Sequence, residues 1–296
     1  GVEQNFKITR LPTLDLVFLG RVGFWIELVT FLILARIHLL WKRSIVYTRE
    51  EAAGFFFSGV MLELHTLPSK PEMSRIKIWR NVRALFVLTS LMKQALVGWG
   101  IEEKKIIVLP DAVDLVSFDI STTKEEARNR LGLPPNKKIV LYTGSFFLYP
   151  WKGVDVLLEA ARNYQLSIIN FQEKEEVLFV LVGGTEDEIK KVRQEYPEKN
   201  IVVLGHQPHK DIPYYLKAAD VLVLPNKSGY PMSDRHTSPL KLFEYMASGR
   251  PIISSDLPSI REILSENEAV FFKPNDSKDL ARAIAKVLDD SSLAER

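Results

Sequence analysis

Apolar and polar positions along this chain follow two periods in turn. Short runs of aliphatic and β-branched residues are each followed by a longer stretch in which apolar residues return every three or four positions. In the first part the runs predict strands over 44–48 (SIVYT), 60–64 (VMLEL), 84–88 (ALFVL) and 105–109 (KIIVL), with helices over 49–57, 72–80 and 90–99. A second series opens at Ile139, with strands over 139–143, 177–182, 201–204, 220–224, 251–254 and 269–272. Its helices fall over 154–162, 186–195, 211–218, 239–247, 258–264 and 277–288. Strands alternating with amphipathic helices build parallel sheets covered on both faces. The fold class is therefore α/β, with two Rossmann-like, doubly wound domains, of which the N-terminal one is incomplete. The stretch 119–138 breaks the rhythm with Ser121, Thr122, Thr123 and the Pro134–Pro135 pair, around a helical piece at 124–131. It reads as the connection between a first domain over 1–118 and a second over 139–296.

One segment stands apart. Residues 22–41 (VGFWIELVTFLILARIHLLW) are apolar enough to suggest a membrane span, but Glu27, Arg36 and His38 interrupt them. A charge at the centre of a span costs several kcal/mol, so the segment is expected to be a buried or interfacial helix packed on the first domain. Lys42 and Arg43 follow it and leave peripheral contact with a membrane surface open. With 46% hydrophobic and 26% charged residues the 296-residue chain has the make-up of a folded soluble protein. Its net charge of +2 is too small to point to nucleic acid. The absence of cysteine excludes disulfides, thiolate nucleophiles and cysteine-ligated metals. It also suits a reducing cytoplasm.

In a doubly wound sheet, ligands bind beyond the carboxyl ends of the strands, so the loops after Thr143, Val182, Leu204, Leu224 and Ser254 are the places to look. The most informative is 238–249 (SPLKLFEYMASG). Ser238 suits an N-cap and Pro239 the first helical position, so a helix start with its free N–H groups faces that loop, an arrangement that attracts anions. Lys241 sits in the first turn, where the helix dipole disfavours a cation unless an anion or acid accompanies it. Glu244, one turn on, is placed to accept from vicinal ribose hydroxyls; the same spacing also describes a surface helix with an exposed Lys–Glu pair. The loop 144–153 (GSFFLYPWKG) brings Gly144 and Lys152 between a strand and a helix, where a lysine either neutralises a diphosphate or is merely solvated. Gly183 and Gly184, and Gly205 with His206 and Gln207, close two further strands with close-approach or turn residues. Glu63 and His65 close a strand of the first domain. No His, Asp or Glu set has metal-ligand spacing.

Together these stretches resemble glycosyltransferase family 4. The likeness runs from about Ile45 onward through VYTRE, ELHTLP, KIIVLPDAVDLVSFD, LYTGSFFLYPWKGVDVLLEAA, VLVGG, VVLGHQPHKDIPYYLKAADVLVLP and SPLKLFEYMASGRPIISSDLPSIREIL. The resemblance implies a retaining transferase of the GT-B type, a hexosyltransferase of polysaccharide biosynthesis, needing neither metal nor cofactor. The donor would be a UDP- or GDP-sugar and the acceptor a glycan or a lipid-linked molecule. The site would be cytoplasmic, at the inner face of a membrane where the apolar helix touches it. By the same resemblance Lys152 would bind donor phosphates, with Gly144 and Gly184 lining the site. Glu244 would bind ribose, and the backbone at His206 and Gln207 the base. The turn of His236, Thr237, Ser238, Pro239, Leu240 and Lys241 would hold the diphosphate, and His65 would stand by the transferred sugar. Lys152, Glu244 and His65 are the catalytic candidates. The sequence departs from the family pattern at His236, where an acidic residue often precedes Glu244 by eight positions. It departs again at Phe146–Phe147, where an arginine often stands, so Arg235 or His236 is expected to share the phosphate. The family's opening strand with its glycine-rich turn and its closing crossover helix have no counterparts, so the chain reads as trimmed at both ends. Two other readings are kept: a sugar-nucleotide epimerase of the same fold, and a catalytically weak nucleotide-sugar-binding protein.

Overall fold

The computed structural model describes residues 7–42, 44–168 and 176–290. The chain forms two compact units: Gly1–Val87 with Met92–Leu109, and Leu88–Leu91 with Pro110–Arg296. In the first unit, strands β1 (Tyr47–Thr48), β2 (Met61–Leu64), β3 (Ala84–Val87) and β4 (Ile106–Val108) pair in that order, all parallel. Leu62, Leu85 and Val87 are fully buried in this sheet, and Trp79 is buried with its ring stacked on Trp99. Helices α1 (Arg21–Leu39), α2 (Ala53–Phe56), α3 (Met73–Asn81) and α4 (Ser90–Gly98) accompany the strands.

Helix α1 is not the buried one of the two expected alternatives. It is long and apolar enough to cross a membrane, yet only Gly23 and Leu32 along it are buried. Phe24, Trp25, Phe31, Ile33 and Ile37 are exposed, and Trp41 beyond its end is 94% exposed. The cause is in the sequence: apolar side chains occur all round the helix, so packing one stripe against α2 leaves the others uncovered. Arg43 lies outside the described residues.

The second unit takes in the stretch expected as a connection. Asp114 caps α5 (Leu115–Phe118), and Thr123 with Glu126 forms a reciprocal capping box on α6 (Lys124–Leu131), which ends on Gly132 in the left-handed region. Arg128 of α6 is buried. It donates to Asp220 at 2.6 Å and to the carbonyls of Ala218, Pro135 and Lys137. Asp220 also accepts from the Ile139 N–H at 2.7 Å. A segment that reads as linker by its Ser, Thr and Pro content is thereby pinned, through Asp220 and Ile139, to the amino ends of the central strands of the sheet.

That sheet has six parallel strands: β5 (Lys138–Thr143), β6 (Val177–Val182), β7 (Ile201–Leu204), β8 (Val221–Leu224), β9 (Ile252–Ser255) and β10 (Val270–Phe272). Their order is β10-β9-β8-β5-β6-β7. The intervening helices are α7 (Val154–Ile168), α8 (Glu186–Glu195), α9 (Ile212–Ala218), α10 (Leu240–Ser248), α11 (Pro258–Arg261) and α12 (Ser277–Asp289). Alternate residues of β5 serve two cores. Val140 and Tyr142 pack with α7 and α12 residues, Ile139 and Leu141 with α9 and α10 residues. This two-sided burial is why the central strands read as unbroken apolar runs. The chain runs outward from β5 in one direction and from β8 in the other. Since these two strands are neighbours, the switch point of the sheet, and the crevice it opens, lies between them.

Candidate functional site

Three loops meet at the carboxyl ends of β5, β6 and β8, and glycines set how closely they approach. Gly144 (φ 127°) donates its N–H to Val182 O at 2.9 Å. A Cβ on Gly183 would lie 2.2 Å from Gly144 O, and one on Gly153 only 1.8 Å from Pro225 O. The Lys227 N–H donates to Trp151 O at 2.8 Å, so the turn carrying Lys152 is held backbone to backbone against the loop after β8. Gly184, a candidate donor contact, has φ 73° and leaves room for the Phe146 ring, which a Cβ there would meet at 2.5 Å. Phe146 itself is 1% exposed. The position where a cation might have stood is thus part of the core.

Glu188, which the sequence reading passed over, organises the loop after β5. As the third residue of α8 it completes a capping box with Thr185, and its carboxylate also accepts from the N–H groups of Phe147 and Leu148, the latter at 2.8 Å. Burial alone would push its pKa up, but these backbone donors outweigh it and hold the carboxyl below its usual range. The signal was present as Thr185-x-x-Glu188, the capping-box spacing, though nothing in that spacing discloses the second set of donors.

Lys152 donates to Ser145 Oγ at 2.8 Å and lies against the Tyr149 ring. Burial lowers its pKa, and the Glu188 carboxylate partly restores it. Lys241 approaches from α10. Its Nζ is 3.8 Å from the centre of the Tyr142 ring and would be 3.6 Å from a Cβ on Gly144. The amine is buried and has no hydrogen-bond partner among the described residues. Tyr245, on the same helix, anchors α10 to the sheet: its hydroxyl accepts from the Thr143 N–H at 3.0 Å.

The start of α10 differs by one residue from the sequence expectation. Pro239 occupies the N-cap position in extended conformation, Leu240 is the first helical residue, and no side chain caps the helix. Ser238 is buried, and its Oγ is already engaged by the Asp111 N–H at 3.0 Å. The result strengthens the anion-attracting character of the turn, because the first N–H groups are not covered by a capping hydroxyl. Thr237 and His236 are buried just before it. Burial, with the neighbouring Arg235 charge, lowers the His236 pKa.

Glu244 is mostly buried, and its pKa is raised by that burial against the opposing pull of His209 and Lys241. His209 Nε2 stands 3.5 Å from the carboxylate and its ring packs edge-on against Phe118. The Glu244–His209 pair ties α10 to the turn that follows His206 and Gln207. His206 is exposed and Gln207 half-buried beyond β7, an edge strand two positions from β5. The second unit therefore gathers Gly144, Lys152, Gly184, Lys241 and Glu244 around the switch point, with His206 and Gln207 farther out.

In the first unit, His65 stands just beyond the carboxyl end of β2. Its Nε2 is hydrogen-bonded to Glu63, which also accepts from the Tyr47 hydroxyl and, at 3.0 Å, from Arg49. Burial, followed by the Glu63 carboxylate, pushes the Tyr47 phenol up to about 12. Glu63 thus holds the His65 ring through Nε2. Among the described residues no group of His, Asp and Glu is placed to hold a metal ion.

Residues 123–296 match the sequence profile of the family described as glycosyl transferases group 1. Among curated proteins, a putative teichuronic acid biosynthesis glycosyltransferase of Bacillus subtilis is 29% identical over 180 residues, 60% of this chain and 40% of its own length. A galactosyltransferase of Escherichia coli named for UDP-Gal and α-D-GlcNAc-diphosphoundecaprenol is 29% identical over 200 residues, 65% of this chain and 48% of its own. The chain spans about half the length of the curated relatives it matches. Two solved structures share the fold. Sucrose-phosphate synthase of Thermosynechococcus elongatus has TM-score 0.73 and 22% identity, over 97% of this chain and 75% of that one. Anabaena HepE, in complex with UDP, has TM-score 0.72 and 17% identity, over 91% and 75%.

Proposed function

The chain belongs to the glycosyl transferases group 1 family, and from that membership we propose that it moves a sugar, with retention, from a nucleoside-diphosphate sugar to a glycan or lipid-linked acceptor. The observation that carries this reading is the uncapped start of α10 at the switch point of the second sheet, flanked by Lys152 and Glu244. Fixed N–H donors, a positive helix end and an ammonium group answer the charge that grows on a departing diphosphate. Stabilising that charge, already arranged before reaction, is the main catalytic contribution asked of the site. Glu244 accepts from the ribose hydroxyls, and the backbone beside His206 and Gln207 receives the base. His65, hydrogen-bonded to Glu63, is the candidate for the transferred sugar that the family resemblance supports. UDP- and GDP-sugars are the donors favoured. The relatives' names support both a UDP-sugar and a lipid diphosphate acceptor, and HepE is known with UDP bound. Neither metal nor other cofactor is assigned a role.

Helix α1 gives the chain an apolar face with Lys42 beside it. We place it at the inner, cytoplasmic face of a membrane, where a lipid-linked acceptor would be met. Sedimentation with anionic lipid vesicles tests this: Trp25→Ser together with Trp41→Ser is expected to release the protein, and unchanged binding would refute the placement. The reaction itself is tested by release of UDP or GDP from labelled nucleotide sugars with and without polyprenyl-diphosphate-linked sugar acceptors. Release that needs the acceptor, with net retention at the anomeric carbon, is the expected result. Conversion of the donor sugar without acceptor would indicate an epimerase instead, and tight binding without turnover a binding protein.

A further inference from the structure

The loop that carries Lys152 is held at its start, its middle and its end. At the start the Gly144 N–H donates to Val182 O at 2.9 Å, and near the end Trp151 O accepts from the Lys227 N–H at 2.8 Å. The middle is held from α8, by a carboxylate that divides its two oxygens between two tasks. Glu188 Oε2 accepts from the Thr185 N–H at 2.8 Å and completes the cap of the helix. Glu188 Oε1 accepts from the N–H groups of Phe147 and Leu148. A capping box needs only the first of these bonds, so the others belong to the loop. Lys191, one turn further along α8, sets its ammonium 4.4 Å from the centre of the Phe147 ring. The short turn Pro150–Lys152 follows Leu148 across Tyr149 alone, so a shift of the 147–148 backbone passes directly into it. The Lys152 amine is engaged on both sides of that joint, by Ser145 Oγ at 2.8 Å and by the Tyr149 ring.

On the donor-binding reading above, we propose that Glu188 is a positioning residue for the transfer reaction: by fixing the Phe147–Leu148 backbone it sets where the Lys152 ammonium meets the diphosphate. It touches no reacting atom in this role. Position matters because a charge-assisted hydrogen bond to phosphate is strong only when short and aligned. A donor already in place where charge grows also needs no rearrangement as the diphosphate leaves. The carboxylate charge adds to this, since it opposes the effect of burial on Lys152. Glutamine is not an equivalent. Its amide has one oxygen and one NH2 group. With the oxygen toward Phe147 and Leu148, the NH2 group faces the Thr185 N–H; turned round, it faces the N–H groups of the loop. Thr185 offers the contrast. Its hydroxyl accepts from the Glu188 N–H at 3.3 Å, so removing it weakens the cap of α8 and leaves the Oε1 bonds to the loop in place.

Calorimetry of the full chain with UDP, GDP, ADP and their nucleosides tests this, at a temperature where every variant is folded by its melting curve. The proteins are wild type, Glu188→Gln, Thr185→Ala, Lys152→Ala and the double variant Glu188→Gln with Lys152→Ala. Glu188→Gln should weaken the diphosphate that wild type binds about three- to tenfold, and the nucleoside less than about twofold. Thr185→Ala should lower the melting temperature, as Glu188→Gln does, yet leave diphosphate affinity within about twofold. In the Lys152→Ala background, Glu188→Gln should cost the diphosphate nothing further, because a residue acting through an amine has no effect once that amine is gone. Additive losses in the double variant, equal weakening of nucleoside and diphosphate, or a Thr185→Ala protein that loses as much affinity as Glu188→Gln would each overturn the assignment. If wild type binds no diphosphate, the donor reading falls, and the role of Glu188 with it. If wild type binds, Lys152→Ala weakens the diphosphate alone and Glu188→Gln binds like wild type, the donor reading stands and Glu188 alone is wrongly assigned.

Discussion

Replacing Glu244 by glutamine separates what this carboxylate does for the fold from what it does for a ligand. Its side chain is only 18% exposed, and its partner His209, 3.5 Å away, is 76% exposed, so the pair adds little against the desolvation of the carboxylate. Burial raises the Glu244 pKa. A carboxyl whose folded value lies above its unfolded value favours the fold below the unfolded value, and that contribution is lost as pH rises through the folded value. At neutral pH the ionised group is therefore a burden, and Glu244→Gln is expected to melt at or above wild type there. The difference should shrink as pH falls toward the carboxylate range. Binding should change the other way. A hydrogen bond to a charged acceptor is worth roughly 1.5–3 kcal/mol and a neutral one roughly 0.5–1.5, so the exchange removes about 1–2 kcal/mol, or about 5- to 30-fold in affinity. On the reading that Glu244 accepts from ribose, uridine and UDP should lose equally. Wild-type affinity should also fall with acid earlier than an ordinary glutamate would dictate, and the glutamine variant should lack that step. Calorimetry across pH on both proteins, with uridine and UDP, reads all of this. A Glu244→Gln protein that is destabilised at neutral pH, or that weakens UDP while sparing uridine, would refute the reasoning.

Gly153→Ala would put a Cβ 1.8 Å from Pro225 O at φ 68°; a destabilisation of about 1–3 kcal/mol and a loss of diphosphate affinity through the adjacent Lys152 are expected by calorimetry and thermal melting, and unchanged binding would show that the turn does not position the lysine. Arg128→Met removes the buried guanidinium partner of Asp220, which keeps Lys124 and the Ile139 N–H; a loss of about 3 kcal/mol, and faster proteolysis within 110–138, are expected with nucleotide affinity retained at low temperature, since this network lies at the opposite end of the strands from the site.

Sheet and helix positions were legible because burial dictates them directly. A strand covered on both faces is an apolar run, and each of β5 to β10 coincides with such a run to within a residue or so. The helix behind the anion turn was legible from Pro239 and the spacing of Lys241 and Glu244. Its start was misplaced by one residue because Ser238 had a competing partner, Asp111, distant in sequence. Similar reasons account for the other misses. Thr123 and Glu126 announced α6 in local spacing, but the burial of Arg128 depends on Asp220, 92 residues away. Glu188 announced a helix cap, but not the loop its second set of donors comes from.

The two departures from the family pattern are resolved by packing rather than by charge. Phe146–Phe147 reads as a missing cation only if that position faces ligand. Phe146 instead fills the space that Gly184 leaves open and helps fix the approach of the loops after β5 and β6. His236 reads as a missing acid, yet it is buried beside Arg235 and its pKa is lowered. The amines at the switch point belong to Lys152 and Lys241, which come from a turn and from a helix on either side of Gly144. Two lysines in one sequence do not disclose that they converge. That follows only from the parallel order in which β8 leads into α10 beside β5. The fold could be read from the chain because its signals are local, while the site needed the pairing of strands, because its charges come from segments about ninety residues apart.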